Sequence, residues 1–147
     1  MIEIMVVIAT ISIVLVNILG VATYSLRFST TIRETTQANM LAQEVIEATR
    51  NFRDGKTWDE GGIGTLTLDT PYHPEKIGDL NPAWNLVLGE ETVSGFTRKI
   101  VFSSVFRDAN DNIVQSGNED LGTKKVTATV SWGSRKVELI TYITNWR

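Results

Sequence analysis

The sequence predicts an α+β protein in which one long N-terminal helix packs on a C-terminal antiparallel β-sheet. Three observations support this fold class. Residues 1–53 contain no proline, and behind the apolar run they keep a helical period. Residues 54–95 hold all three prolines, and apolar and polar residues alternate from residue 96 onward. The 147 residues leave room for one small domain behind the helix.

Residues 1–22 are the first half of the predicted helix, and they are apolar enough to cross a membrane. No charged side chain occurs from Ile4 to Ala22. At about 1.5 Å per helical residue, this run is about as long as a bilayer core is thick. One carboxylate, Glu3, precedes it. A carboxylate at membrane depth costs roughly 2.5–3.5 kcal/mol, so its presence indicates a partner there.

Residues 23–53 are more polar but still place apolar side chains three or four residues apart, which predicts an amphipathic continuation of the helix. The chief apolar positions are Phe28, Ile32, Leu41, Val45, Ala48 and Phe52. Gly55 offers a stop for the helix. Residues 54–95 follow as a connector rich in glycine and proline, with short strand candidates at residues 65–68 and 86–88.

Residues 96–147 are predicted to form the antiparallel sheet, because their apolar side chains recur at every second position. Two apolar rows are Ile100, Phe102 and Phe106, and Val126, Ala128, Val130 and Trp132. Gly133-Ser134 is a glycine-first pair typical of a type II′ hairpin turn, with a return strand from about residue 135 to 144. Tyr142, Ile143 and Trp146 are expected to help cover the helix.

Side chains that carry catalysis are scarce, so we expect no enzyme activity, no catalytic residue and no cofactor. The chain has no cysteine, and His73 is its single histidine. The glycine-rich stretch at residues 61–64 lacks the lysine that a phosphate-binding loop requires. No dense basic stripe supports binding to nucleic acid. A membrane-anchored enzyme that uses the loop around His73 remains an alternative.

Residues 108–119 place oxygen-bearing side chains at the spacing of a calcium-binding loop. The candidate ligands are Asp108, Asn110, Asp111, Asn112 and Glu119. Ile113 stands where such a loop needs glycine for its sharp turn. Since Asp and Asn also dominate ordinary turns by bonding their own backbone, an ordinary turn is the favoured interpretation and calcium is the alternative.

The stretch Ile-Glu-Ile-Met-Val-Val-Ile-Ala at residues 2–9 resembles the start of mature type IV pilins and of type II secretion pseudopilins. In that family a prepilin peptidase cuts after a glycine and the new N-terminal residue is methylated. The family's glutamate is the fifth residue of the mature chain, whereas the matching Glu3 is the third residue here. Relative to the family pattern the chain is two residues short at its start, and either a start site assigned to an internal methionine or a trimmed terminus would explain the difference. Residues 41–58 resemble a stretch found in minor pilins.

The resemblance implies a structural subunit, held as a single-pass protein in the bacterial inner membrane. A separate ATP-driven machine would then assemble it with identical or related subunits into an extracellular or periplasmic filament. Glu3 would pair with the N-terminal amine of a neighbouring subunit. The residues implied in assembly are Ile2, Glu3, Ile4, Met5, Asn17 and Gly20. The alternative is a monomeric, membrane-anchored extracytoplasmic binding module.

Asn17 and Gly20 are weak points within the membrane-length run, because glycine costs roughly 1 kcal/mol relative to alanine in a helix and asparagine is only a modest helix former. In assembled pili of the family, the corresponding region is often locally unwound. The resemblance therefore suggests a bend or an unwound segment between Asn17 and Gly20. A second interpretation, that Gly20 simply permits close packing of helices, is equally open.

Overall fold

The computed structural model describes residues 1–78 and 83–146. Pro82 of the predicted connector and Arg147 at the end of the predicted sheet region lie outside the described residues. The chain divides into two compact units, residues 1–37 and residues 38–147. Helix α1, Ile2–Gly55, contributes to both units and includes the predicted helix apart from Met1.

The first unit consists of the N-terminal part of α1. Every side chain from Met1 to Thr30 is exposed, including the whole apolar run. Phe28 and Ile32, which the helical period placed on an apolar face, are 55% and 50% exposed. The helix in this unit therefore buries no apolar stripe within the chain.

The second unit holds the remainder of α1, a 3₁₀ turn at Ile63–Thr65 and an antiparallel sheet. The strands within the described residues are β1 Pro71–Ile77, β2 Ala83–Leu88, β3 Glu91–Val93, β4 Phe96–Arg107, β5 Ile113–Val114, β6 Asn118–Trp132 and β7 Arg135–Thr144. Their order across the sheet is β2-β1-β4-β6-β7, and β3 and β5 each pair with β4. The predicted α+β layout is confirmed.

The core of this unit lies between α1 and one face of the sheet. The helix contributes Ala38, Ala42, Val45, Ile46 and Phe52, and the sheet contributes Phe96, Ile100, Phe102, Val126, Ala128, Val130 and Ile143. Phe102 is fully buried, and its ring meets the ring of Tyr72 edge-on with centroids 6.0 Å apart. Burial of such a side chain contributes about 1.5–3 kcal/mol, so this layer holds helix and sheet together.

The hairpin between β6 and β7 was predicted correctly. Trp132 pairs with Arg135, and the return strand ends at Thr144. Gly133 takes φ of +53°, a conformation that the first position of a type II′ turn requires and that glycine adopts without steric cost.

The prediction for the end of β4 was wrong by one residue. A β-bulge shifts the register between Ser104 and Phe106. As a result Val105 is buried at 2% exposure and Phe106 is only half-buried, although the alternating pattern had placed Phe106 on the inner face. One extra residue in a strand reverses the faces of the positions that follow it.

The connector is more regular than its composition predicted. Residues 65–68 are not a strand, whereas residues 86–88 are confirmed as the end of β2. The chain also forms β1, which contains Pro71 and Pro74. Beyond Tyr72, β1 pairs with β2 alone, so the amide that Pro74 lacks is not needed by a second neighbour.

The prediction that three C-terminal residues help to cover the helix holds only in part. Ile143 is buried in the core beside the helix, as expected. Tyr142 is 45% exposed, because successive side chains of β7 point to opposite faces of the sheet. Trp146 is 66% exposed but meets α1, since the Arg53 guanidinium lies 5.9 Å from the centroid of its ring.

Candidate functional site

The apolar N-terminal part of α1 is long and apolar enough to cross a bilayer, judged by length and composition. None of its most apolar window is buried inside the chain. A helix that is apolar on all sides is suited to lipid or to the interior of a larger assembly. This segment is the principal candidate for function.

Polar side chains within the apolar part of α1 find their partners inside the helix. Each donates a hydrogen bond to a carbonyl one turn earlier: Thr10 to Val6 at 3.0 Å, Ser12 to Ile8 at 2.8 Å, Asn17 to Ile13 at 2.9 Å and Thr23 to Leu19 at 2.8 Å. An unsatisfied polar group in hydrocarbon costs several kcal/mol. The segment therefore carries little polar penalty into an apolar environment.

Glu3 lies in the first turn of α1, where the positive end of the helix dipole favours a carboxylate. No ion pair to Glu3 is formed within the part of the chain that the structure describes. The apolar residues around it are exposed: Ile2 at 79%, Ile4 at 65% and Met5 at 71%. The predicted assembly residues at the N-terminus thus form one accessible group.

Asn17 and Gly20 lie in an uninterrupted helix in this single chain. Asn17 donates its side-chain amide to the Ile13 carbonyl, as described above. A Cβ atom added at Gly20 would meet nothing within 4 Å, so Gly20 is not required for packing inside the chain. Local unwinding and close helix packing both concern the assembled state, and both stay predictions.

The loop after β4 is organised by one carboxylate, that of Asp108. It accepts hydrogen bonds from the backbone amides of Asn110 at 2.8 Å and Asn112 at 2.9 Å, and from the Asn112 side chain at 3.0 Å. The side-chain bond from Asn112, followed by the backbone bonds, lowers the pKa of Asp108 below its usual value. This geometry is that of an Asp-stabilised turn, in which Asp111 takes φ of +67°.

Glu119, another of the proposed calcium ligands, lines an open cavity together with Asp108 but has a hydrogen-bond partner of its own. Its carboxylate accepts a hydrogen bond from Ser104 at 2.5 Å, while neighbouring Asp120 pairs with Arg107 at 2.7 Å. Among the described residues, no group of three His, Cys, Asp or Glu side chains is arranged to hold a metal ion. Because Asn110 and Asn112 belong to the proposed ligand set and are not part of that count, calcium binding by this loop stays a prediction.

His73, the residue of the anchored-enzyme alternative, lies in β1. Its Nδ1 atom is 3.3 Å from the Gly89 carbonyl oxygen, and the side chain is partly buried. That contact links β1 to the turn after β2. The anchored-enzyme alternative stays a prediction.

Two features of the second unit were missed by sequence reasoning. Arg98 is buried at 6% exposure and pairs with Glu91 at 2.7 Å and with Glu44 of α1 at 3.4 Å. A cavity also lies at the C-terminal end of α1, lined in part by Trp58 and Trp146. These residues are far apart in sequence, so neither spacing nor periodicity could have grouped them.

Comparison with protein-family models, with curated proteins and with solved structures found no significant match. The class of the protein is therefore defined by its own fold and segments. It is an α+β protein whose N-terminal helix is suited to single-pass membrane insertion.

Proposed function

We propose that this protein is a non-enzymatic filament subunit of the type IV pilin or pseudopilin kind. The observation that carries the proposal is the exposed, charge-free helix from Ile4 to Ala22, which begins directly after Glu3 and continues into an α+β domain. Before assembly the segment would lie in the inner membrane. Prepilin peptidase and an assembly ATPase would be its processing and assembly partners, and related subunits would be its neighbours in the filament.

The physical basis of the proposal is that the apolar segment needs an apolar environment both before and after assembly. In a filament, helices of neighbouring copies replace lipid around the exposed side chains. Glu3 would meet the N-terminal amine of a neighbour. Because a buried charge without a partner is far more costly than a paired one, this contact would favour one register of addition.

The test is to replace Glu3 in the full-length chain and to quantify filaments sheared from the native organism. Glu3→Ala should lower the amount of assembled subunit at least about tenfold, which corresponds to about 1.4 kcal/mol. Glu3→Gln should also fail, since it keeps the size but not the charge. Glu47→Ala is the matched control, because Glu47 is an exposed glutamate of the same helix outside the apolar run.

Normal filament yield from Glu3→Ala protein would overturn the proposal. The rival function, a monomeric membrane-anchored binding module, predicts that outcome. Circular dichroism of each purified variant checks that the sheet is intact, so that a folding defect is not mistaken for failed assembly. The anchored-enzyme alternative would instead need an activity that His73→Ala removes.

A further inference from the structure

A cavity of about 220 Å³ lies in the second unit, where α1 ends and the C-terminal residues pass. Its floor is formed by Trp58 and Ile63, which are 8% and 1% exposed. This volume is below the roughly 300–1,000 Å³ of pockets for drug-sized ligands. The cavity therefore has room for a single ring-sized group.

One wall of the cavity is the indole of Trp146, which is 66% exposed. The Arg53 guanidinium lies 5.9 Å from the centroid of this ring, within the range of a cation–π contact. Arg53 is itself held by Asp54 through a hydrogen bond of 2.9 Å from its Nε atom. These contacts place the guanidinium beside the indole, and most of the indole surface stays accessible at the cavity.

Polar groups on the rim are placed to meet a ligand. The Asp59 carboxylate and the Asn145 side-chain amide form no hydrogen bond or ion pair within the described residues. Asn145 is fixed by its backbone, whose amide donates to the Gly122 carbonyl at 2.7 Å. The rim thus offers the Asp59 carboxylate as a hydrogen-bond acceptor and the Asn145 amide as both donor and acceptor.

Among the described residues that line the cavity, the charges balance. Arg53 and Lys56 contribute two positive charges, and Asp54 and Asp59 contribute two negative charges. A balanced lining gives no net electrostatic preference for an anion or a cation. It favours a neutral ligand that has one apolar face and several hydroxyl groups.

We propose that this cavity binds one neutral pyranose unit of a glycan. The C–H face of the sugar ring would lie against Trp146, and its hydroxyl groups would bond to Asp59 and Asn145. A ligand of this size is expected to bind with a Kd of about 2 mM. The proposal stands on the second unit alone and does not depend on filament assembly.

The test is ¹⁹F NMR of the full chain in detergent micelles, with 5-fluorotryptophan at its four tryptophan positions. The probes are methyl β-D-glucopyranoside, methyl β-D-galactopyranoside and N-acetylglucosamine. At least one should shift the Trp146 resonance saturably. Asp59→Asn, and Trp146→Ala followed through Trp58, should each weaken binding at least about tenfold.

Trp84→Phe is the matched control, because Trp84 also bears a cation, with Lys76 Nζ 4.7 Å from its ring centroid, but does not line the cavity. It should leave sugar binding unchanged. Asp59 is exposed, so Asp59→Asn tests the site without removing packing. The absence of a saturable shift with all three sugars would overturn the proposal. A shift that depends on protein concentration without sugar would also do so, because it would assign the cavity to a second copy.

Discussion

The two parts of α1 differ in whether their side chains are buried within the chain. From Ile4 to Ala22 no side chain is buried, whereas Ala38, Ala42 and Val45 are fully buried in the core of the second unit. Both parts use the same internal hydrogen bond. Thr10 bonds to the Val6 carbonyl while exposed, and Thr49 bonds to the Val45 carbonyl at 2.8 Å while buried. Identical local structure thus serves two environments, one inside the chain and one outside it.

The largest effect that separates the two parts is expected from replacing one phenylalanine in each unit. Phe102→Ala should lower the free energy of unfolding of the second unit by about 3–5 kcal/mol, because Phe102 is fully buried. Phe28→Ala should change it by less than about 0.5 kcal/mol, since Phe28 is 55% exposed. Urea unfolding of the full chain in detergent, followed by circular dichroism, measures both. Similar losses in the two variants would contradict the division into units.

A smaller effect is expected from the ion group that joins the second part of α1 to the sheet. Arg98→Ala should cost about 1.5–3 kcal/mol, because the buried guanidinium bonds to Glu91 and Glu44. The remaining carboxylates are partly exposed and stay solvated, which limits the loss. Lys136→Ala, which removes the exposed pair with Glu138, should change stability by about 0–0.5 kcal/mol in the same urea series. An equal cost for both pairs would mean that burial of Arg98 has no energetic consequence.

The smallest effect concerns pH and the carboxylates at the β4–β6 end of the second unit. The Arg107 side chain, hydrogen-bonded to Asp120, lowers the pKa of Asp120 below its ordinary value of 3.8. A lowered folded-state pKa contributes stability that is present above the unfolded value and is lost as pH falls through the folded value. Stability should therefore decline below about pH 4.

Asp120→Asn isolates this contribution. The variant should be slightly less stable than the unmodified chain at pH 7. As the pH falls below about 4, it should lose less stability than the unmodified chain. Urea midpoints measured across that interval give the comparison. Parallel pH profiles for the two proteins would show that Asp120 does not contribute to the acid loss.

Much of the fold follows from sequence periodicity, because helix and strand have distinct repeats. The helix, the glycine-first turn at Gly133 and the return strand through Thr144 were all predicted. The failures have local causes. A single-residue bulge buries Val105 in place of Phe106. Strand β1 accommodates Pro74 because its pairing with β4 ends at Tyr72. Alternation rules carry no information about such irregularities.

The candidate sites also differ in how far the sequence alone predicts them. Glu3 and the apolar run are contiguous in sequence, so they could be recognised without a structure. The cavity joins Arg53, Trp58 and Trp146, and the ion group joins Glu44, Glu91 and Arg98. These sets form only when helix and strands pack. In the loop after β4, the Asp108 carboxylate accepts hydrogen bonds from the backbone of its own turn. The spacing of the oxygen-bearing residues alone does not distinguish such a turn from a metal-binding loop.

The most direct test of the central proposal is electron microscopy of filaments sheared from the native organism, combined with mass spectrometry of the subunit's N-terminal peptide. The proposal predicts filaments that contain this chain with a methylated N-terminal residue, and the peptide would identify that residue. A chain found only in the membrane, unprocessed and absent from every filament, would contradict the proposal and favour the anchored binding module.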